Sequence, residues 1–559
     1  MRKFIKLGIR GLFSSLFLGA CALGSAQAQP LKGSEIVMSV ANAHAAEFGQ
    51  KIAEAGGNPV DVAVAMVLTM SVTNPTFAAL GGGGFAVVKI GNKVTALDFR
   101  ERAPAAMGPE YYKSKSKEAS ITGGAAVGVP GIPAGLWELH KRYGRLPWAR
   151  LFDEALELAT HGFRMTGHVS ENSKHNAARF NNRAKALFLK NASEAYRPGE
   201  KVLQKDLANA LREFKTKNVN GFYAGVVAKD IVDSVKASGG DLTLKDLADY
   251  KVIWRDPLTL DYHGHKLYLM PPPSSGGIVI ETALKLLDKI GASKSPLYSV
   301  DEFHLISEVE ARAFRGRDLI ADPDHNVVPI AKLIGDETIA ELAKTIRKDV
   351  ATLVEPIRAA DQQTESREKP QTTHLSVLDS HGNAVAMTVT LNGNFGSGVA
   401  TEKFGIMLNN EMDDFTTHPG EPNMYGLVQG LGNVVGPGKR PLSSMSPTLV
   451  EKEGKVVMAI GAPGGPRIIT SVMQVLYRVL DRGQSLEAAV EAPRVHNQLL
   501  PRKVFIDADR FSYETKEGLK ARKNIIEEDW QALVYAVRNV GGVLEAVVDT
   551  RAEGAVSGY

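Results

Sequence analysis

Residues 372–392 (TTHLSVLDSHGNAVAMTVTLN) combine hydroxyl, imidazole and amide side chains in an alternating pattern. The alternating segments 372–379 and 383–390 flank a loop, Ser380-His381-Gly382, that suits a β-hairpin with glycine in the left-handed conformation. Symmetric closure places Thr372 opposite Thr390. Alternation then puts two sets on opposite faces, the polar Thr372, His374, Ser376, Thr388, Thr390 and Asn392, and the apolar Leu375, Val377, Val385, Met387, Val389 and Leu391. We predict that the apolar face is core and that the other face is a polar site.

A threonine hydroxyl is a poor nucleophile until a neighbouring base removes its proton, so the polar face could support nucleophilic catalysis only beside such a base. The alternative is purely structural, because β-branched threonine favours strands whether or not it does chemistry. The hairpin alone leaves both interpretations open.

The elements that would position this hairpin alternate between helix and strand. We predict a helix over 59–70 with Asn58 as its N-cap, a strand over 85–90 after the glycine run 81–84, and a second strand over 94–99 that ends at Arg100. Helical patterns dominate 136–247 and 279–346, whereas strands follow Thr372. The sequence therefore predicts a mixed α+β protein.

One polar stretch, 359–371 (AADQQTESREKPQ), directly precedes Thr372. A long polar connection in an otherwise compact chain usually marks an exposed linker or a place where the chain is cut.

Several ordered motifs resemble one known family. From about residue 33 to residue 559 the chain is similar to the gamma-glutamyltranspeptidases, which are N-terminal-nucleophile hydrolases. The motifs that carry the resemblance are GGNPVD (56–61), the glycine run before Phe85, DFRE (98–101), PPPSSGG (271–277), TTH (372–374), NNEMDDF (409–415), KRPLSSMSPT (439–448) and PGG (463–465).

The resemblance implies a four-layer αββα sandwich and a chain that cuts itself between Gln371 and Thr372. Residues 29–371 would become a large subunit and residues 372–559 a small catalytic subunit, together a heterodimer. Thr372 would then be an N-terminal nucleophile whose own α-amino group, with a reference pKa of about 7.7 to 8.0, serves as the base.

The resemblance also assigns the remaining site residues. Thr390 would orient the nucleophile, and the backbone N–H groups of Gly464 and Gly465 would form an oxyanion hole. A γ-glutamyl group carries an α-carboxylate and an α-ammonium. The implied carboxylate ligands are Arg100, Ser443 and Ser444, the implied ammonium ligands are Asn392, Glu411 and Asp414, and Tyr425 lies in a lid loop over 416–426.

The implied reaction is ping-pong transfer of a γ-glutamyl group from glutathione or related compounds to water, amino acids or peptides. A cephalosporin or glutaryl acylase of the same superfamily is one alternative, although it has less need for the ammonium ligands Glu411 and Asp414. A non-catalytic exported protein that binds γ-glutamyl peptides is the other, although Thr372 and Thr390 argue against it.

Sequence motifs of several other common enzyme classes are absent from the chain. The chain contains no HExxH, GxSxG, GxxxxGK[ST] or GxGxxG motif, and its single cysteine excludes a disulfide framework or a multi-cysteine metal site. We predict no metal and no cofactor.

The charge balance bears on the choice of partner. Lys and Arg total 66 and Asp and Glu total 62. Removing the four basic residues of the first 28 leaves 62 of each, so nothing favours a nucleic-acid partner.

The first 28 residues are typical of a secretory signal, with four basic residues, an apolar stretch over 11–24 and Ala26-Gln27-Ala28 as a cleavage site. We predict an exported protein, periplasmic or secreted, without an integral membrane span. Leu18-Gly19-Ala20-Cys21 is an alternative lipobox, in which Cys21 would be acylated and anchored.

We expect the exported protein to begin after Ala28, because a good small-residue cleavage site stands there. Intact-mass analysis of the mature protein checks this. A mature chain that begins at Cys21 and carries acyl chains would contradict it.

Overall fold

The structure, a computed structural model, describes residues 30–353 and 372–559. The predicted signal segment, Cys21 and the polar linker 359–371 lie outside the described residues. The strands are β1 Leu31–Gly33, β2 Ile36–Val40, β3 Gly83–Ile90, β4 Lys93–Phe99, β5 Phe163–Arg164, β6 Leu189–Lys190, β7 Glu194–Ala195, β8 Lys201–Val202, β9 Ile253–Arg255, β10 Leu258–Tyr262, β11 His265–Leu269, β12 Thr372–Asp379, β13 Ala384–Thr390, β14 Thr448–Lys452, β15 Lys455–Gly461, β16 Val495–His496, β17 Val504–Asp507, β18 Ile526–Asp529, β19 Tyr535–Val540, β20 Val543–Val548 and β21 Ala555–Gly558.

The helices fall mainly in the two regions where the sequence predicts them. They are α1 Ala43–Glu54, α2 Pro59–Thr73, α3 Ile132–Tyr143, α4 Asp153–His161, α5 Gly167–Asn176, α6 Asn182–Phe188, α7 Lys205–Lys217, α8 Asn220–Tyr223, α9 Gly225–Ala237, α10 Leu244–Ala248, α11 Gly276–Ile290, α12 Val300–Phe314, α13 Ile330–Leu333, α14 Asp336–Lys344, α15 Arg467–Leu480, α16 Leu486–Glu491 and α17 Tyr513–Ala521. Within the described ranges, no helix has the length and apolar character needed to cross a bilayer.

Two antiparallel seven-stranded sheets form the centre of the molecule. The first has the order β1-β20-β19-β15-β14-β11-β10, and the second has the order β21-β2-β12-β13-β3-β4-β9. The sheets pack face to face: Ser39 Oγ donates a hydrogen bond to Val547 O at 2.6 Å, and Ser376 Oγ donates to Tyr535 O at 3.0 Å. Both strands of the β12–β13 hairpin therefore lie inside the molecule.

Helices cover the outer face of each sheet. One hydrophobic core joins α1, α2 and α3 to the outer face of the second sheet, and another joins α11, α12 and α15 to the first sheet and the space between the sheets. The order of layers is helix, sheet, sheet, helix, which confirms the predicted αββα sandwich.

The register of the hairpin of β12 and β13 is the predicted one. Thr372 pairs with Thr390 in the antiparallel ladder, and β13 begins at Ala384. The predicted apolar face packs in the core with α2. The polar face differs from the expectation of a single polar site, because its middle is sealed between the sheets. Only its end, at Thr372, Thr390 and Asn392, reaches a cavity.

His374 belongs to this sealed middle. Its two ring nitrogens lie 2.8 Å from Thr388 Oγ1 and 3.0 Å from Ser376 Oγ, and burial lowers its pKa to about 3. The imidazole is therefore neutral and links the two strands without contacting the cavity.

The glycine run before Phe85 is part of the sheet. The strand β3 begins at Gly83, two residues earlier than predicted, because the run must lie close against its neighbours. A Cβ on Gly82 would meet Thr390 O at 2.0 Å, and one on Gly84 would meet Thr388 O at 2.3 Å. Only glycine lets β3 approach β13 this closely, so the run fixes the position of Thr390.

The N-terminus of α2 confirms the predicted cap. The Asn58 side chain accepts hydrogen bonds from the N–H groups of Val60 and Asp61, and Asp61 bonds back to the N–H of Asn58. This helix packs on β12 and β13 and so supports the hairpin from behind.

We predict that Gly461→Ala destabilises the protein by about 1–3 kcal/mol, because the added methyl overpacks the space between the sheets. A Cβ at Gly461 would meet the His374 ring at 2.2 Å. Chemical denaturation measures the effect. Gly108→Ala is the matched control, since a Cβ there meets nothing within 4 Å; equal stability of the two variants would contradict the packing argument.

Candidate active site

Thr372 is the first residue of β12, and its hydroxyl faces the end of β13. Thr372 Oγ1 lies 3.2 Å from Thr390 Oγ1, and Thr390 Oγ1 also accepts a hydrogen bond from the backbone N–H of Asn392 at 2.8 Å. Thr390 is thereby held by its own strand while it contacts the Thr372 hydroxyl. The geometry provides an oriented hydroxyl pair at the floor of a cavity.

Gly464 and Gly465 form a turn between β15 and α15, beside Thr372. Their φ angles are 131° and 56°, which are left-handed values that favour glycine. A Cβ on Gly465 would also meet the Tyr425 ring at 2.9 Å. Gly465 lines the cavity together with Thr372, whereas Gly464 lines the adjoining one. The turn therefore brings backbone, without side chains, up to Thr372.

Arg100 lines the same cavity and is buried with acidic partners. Its guanidinium pairs with Glu411 through Nη1 and with Asp414 Oδ2 through Nη2 at 2.5 Å, and Glu101 Oε2 lies 3.7 Å from Nη1. Its Nε also donates to Pro441 O at 3.2 Å. The predicted carboxylate ligand is thus paired with two of the predicted ammonium ligands.

Burial dominates the ionisation of this cluster. It raises the pKa of Glu101 to about 7, raises that of Glu411 well above its ordinary value and raises that of Asp414, while the positive charge of Arg100 opposes each shift. The carboxylates raise the pKa of Arg100, which stays charged. The cluster thus holds Arg100 as a fixed cation among acids whose charge can change.

Ser443 and Ser444 lie on the loop that follows the KRPL segment, and a second loop supports them. Ser275 donates to Ser443 O from its backbone N–H at 2.8 Å and from Oγ at 2.9 Å, and Ser274 Oγ donates to Met445 O at 2.7 Å. The PPPSSGG motif, whose role the sequence does not reveal, therefore holds the serine loop in place. A Cβ on Gly276 would meet Ser446 Oγ at 2.0 Å, which explains the glycine.

Tyr425 closes the cavity from the loop over 416–426. Its hydroxyl donates to Asn392 O at 2.7 Å, and Asn423 Nδ2 donates to Asp414 Oδ1 at 3.1 Å. Asn392 Nδ2 donates to Asn410 O at 3.1 Å. The predicted lid loop is therefore connected both to the hairpin end and to the acidic cluster.

One cavity unites the predicted residues, with Gly464 alone on the adjoining cavity. Those that line it are Arg100, Thr372, Thr390, Asn392, Glu411, Asp414, Tyr425, Ser443, Ser444 and Gly465. Sequence reasoning missed three apolar wall residues, Leu427, Met445 and Ile468. It also missed the roles of Glu101 and of Arg317, which contacts Ser444. The place of Glu101 next to Arg100 in the DFRE motif could have indicated that it belongs to the site. No local sequence pattern indicates the same for Arg317.

The donors in this cavity are hydroxyls, amides and carboxylates around a guanidinium. Within residues 30–353 and 372–559, one group of side chains has the spacing to hold a metal ion, and it lies elsewhere: His263, Asp288 and Asp481. Those residues do not line the cavity of Thr372.

The architecture defines the class. Two facing sheets between helical layers, with solved relatives of the same fold, make this an N-terminal-nucleophile hydrolase fold. The family described as Gamma-glutamyltranspeptidase matches residues 45–559, and the chain belongs to this family of enzymes.

Relatives and solved structures agree with that assignment. A glutathione hydrolase proenzyme of Pseudomonas aeruginosa is 39% identical, covering 97% of this chain and 98% of the relative. One of Escherichia coli (strain K12) is 38% identical, covering 88% and 86%. A cephalosporin acylase from Bacillus halodurans superposes with a TM-score of 0.85 at 26% identity over 98% of this chain and 99% of its own.

The gamma-glutamyltranspeptidase of Helicobacter pylori has a TM-score of 0.54 at 35% identity and covers 56% of this chain and 91% of its own. Identity to the glutathione hydrolases exceeds identity to the acylase, so the sequence comparisons do not favour the acylase alternative.

We predict that an amino-acid zwitterion such as glutamate binds several-fold more tightly as pH rises from about 6 to about 8. The Glu101 carboxyl, with a pKa of about 7, is mostly neutral below that window and mostly charged above it. Once charged, it pairs with Arg100 and adds a negative charge beside the residues predicted to bind a ligand ammonium.

Calorimetric titration of glutamate at several pH values measures this dependence. Glu101→Gln should flatten it, while Glu110→Gln, at an exposed position on the same segment, should leave it unchanged. A wild-type dependence that persists in Glu101→Gln would contradict the assignment.

Proposed function

We propose that the chain is a self-processing enzyme that cleaves the γ-glutamyl amide bond of glutathione and related compounds and passes the glutamyl group to water or to amino-acid and peptide acceptors. The observation that carries the proposal is one cavity lined both by a hydroxyl pair and by charges of both signs. The names of the relatives, glutathione hydrolase proenzymes, agree with it.

In the proposed maturation, Thr372 Oγ1 attacks the carbonyl carbon of Gln371. The peptide C–N bond breaks as the C–O bond forms, the hydroxyl proton passes to the leaving nitrogen, and water then hydrolyses the ester. The products are residues up to 371 and a chain that begins with a free amino group on Thr372. The name proenzyme in the relatives supports processing into two subunits.

In the proposed reaction, the free α-amino group of Thr372 accepts the hydroxyl proton while Oγ1 attacks the γ-carbonyl of the substrate. Thr390 holds the hydroxyl, and the N–H groups of Gly464 and Gly465 stabilise the negative charge on the tetrahedral oxygen. The proton then passes to the departing amine. Water or an acceptor amine attacks the resulting ester, which frees the threonine.

The charged residues of the cavity would recognise the α-carboxylate and α-ammonium of the glutamyl group by exchanging their ion-pair partners. The substrate carboxylate would take the place beside Arg100 and the two serine hydroxyls, while its ammonium would bind Asn392, Glu411 and Asp414. Because Arg100 and its two acidic partners each find an opposite charge before and after binding, the exchange leaves none of these three groups uncompensated. A substrate without the ammonium would leave the acids unsatisfied, which distinguishes a γ-glutamyl from a glutaryl substrate.

We place this reaction outside the cytoplasm, in the periplasm or the medium. The leader-like first 28 residues support export, and the lipobox around Cys21 would give an anchored form of the same enzyme.

We expect Thr372→Ala to remain one chain and to lose γ-glutamyl-p-nitroanilide cleavage by at least about a thousandfold, because the nucleophile of both steps is gone. The wild type should give two pieces, the smaller beginning Thr372-Thr373-His374. Denaturing gels, intact mass and N-terminal sequencing measure processing, and release of nitroaniline measures turnover.

Thr373→Val is the matched control. Thr373 points to the opposite face of β12, where its hydroxyl contacts Met70 Sδ at 3.9 Å, and valine has the same shape and strand preference. It should mature and turn over substrate. A wild type that stays uncut and inactive would favour the binding-protein alternative, and preference for glutaryl-p-nitroanilide would favour the acylase.

A further inference from the structure

Arg317 is a buried cation beside the proposed carboxylate ligands. It lies in the short 3₁₀ turn Arg317–Leu319 after α12, and only 5% of its surface is exposed. Among the described residues, no carboxylate oxygen lies within 4 Å of its nitrogens. Burial lowers its pKa to about 10, so it still carries its charge at neutral pH. A buried cation without an ion-pair partner is costly, and its neighbours must explain it.

Its three nitrogens each contact a neutral oxygen acceptor. Nε donates to Ser275 Oγ at 3.2 Å, Nη1 donates to Gln429 Oε1 at 3.2 Å, and Nη2 donates to Ser444 Oγ at 3.3 Å. The amide of Gln429 is itself fixed, because Nε2 donates to Asp414 O at 2.6 Å. One guanidinium therefore joins the supporting serine loop, the segment after the lid and the rim of the cavity.

This contact determines the direction of the Ser444 proton. A guanidinium has only donors, so Ser444 Oγ must accept from Arg317, and its single O–H is left to donate elsewhere. No acceptor for that proton is found among the described residues, and Ser444 lines the cavity. Ser443 repeats the arrangement, since its Oγ accepts from the N–H of Met445 at 3.1 Å. Both hydroxyls are thus prepared as donors to an anion.

We propose that Arg317 is a positioning residue that fixes the Ser444 hydroxyl as a hydrogen-bond donor and so makes the cavity select ligands with a carboxylate beside their ammonium group. The inference rests on the proposed function. Arg317 adds a second positive charge beside Ser444, while Arg100 is already engaged by Glu411 and Asp414. A ligand carboxylate would then accept a hydrogen bond from the Ser444 hydroxyl, which the Arg317 charge polarises, and would also pair with the Arg100 guanidinium.

The test compares two substrates, γ-glutamyl-p-nitroanilide and its analogue in which the α-carboxylate is a carboxamide. In Arg317→Met we expect KM for the carboxylate substrate to rise about tenfold, because one charge-assisted hydrogen bond to the substrate is lost. We expect kcat to stay within about twofold of the wild-type value. The carboxamide should be nearly unaffected, since its amide can also donate to Ser444. Preference for the carboxylate therefore falls about tenfold.

Two further variants separate positioning from packing. Arg317→Lys keeps the charge but cannot reach all three acceptors, so its preference should lie between those of the wild type and Arg317→Met. In a Ser444→Ala background, Arg317→Met should change the preference little, because the hydroxyl it directs is absent. Arg315→Met removes a positive charge from the wall of the cavity of about 220 Å³ that Arg317 also lines, and serves as the control.

Processing to two pieces and an unchanged unfolding temperature establish that each variant folds. An inactive wild type would refute the proposed function itself. An active wild type with equal losses for both substrates, a fall in kcat alone, or the same preference change in Arg315→Met would overturn the role of Arg317.

Discussion

The removal of the Arg100 guanidinium from water is the constraint around which the site is built. A buried cation must be satisfied in full, and the chain meets this need with Glu411, Asp414 and the carbonyls of Pro441 and Leu442. Those partners come from loops more than 300 residues away along the chain. Their convergence on one side chain brings the acidic loop and the serine loop to the end of β4.

The two sheets bring Thr372, the proposed nucleophile, to the same cavity. The hairpin of β12 and β13 is central in the second sheet, and the glycine run of β3 lets its neighbour lie close to Thr390. Across the gap, β15 leads into the turn of Gly464 and Gly465. The proposed chemistry therefore lies where the ends of strands from both sheets meet. Its geometry depends on how these sheets stack, and the close contact between His374 and Gly461 helps to set that stacking.

Local pattern predicted the parts of this arrangement that local physics determines. Alternation and a glycine loop gave the pairing of Thr372 with Thr390, and a capping residue gave the start of α2, because both depend on neighbours in the chain. The pairing of Arg100 with Glu411 was not foreseen, since the charges were assigned to a ligand. Arg317 was missed for a related reason: its acceptors belong to three separate segments, and no spacing in the sequence connects them.

The order of strands has a consequence for how the molecule could come apart. In each sheet, strands from before residue 354 pair directly with strands from after residue 371: β12 pairs with β2 and β13 with β3 in one sheet, and β14 pairs with β11 and β20 with β1 in the other. A backbone break before Thr372 would leave two pieces that share both sheets and both cores. Dilution could not release them, because separation would require the ladders of both sheets to open. Folding must therefore come before any cut at that bond, and neither piece could exchange with a fresh copy without unfolding.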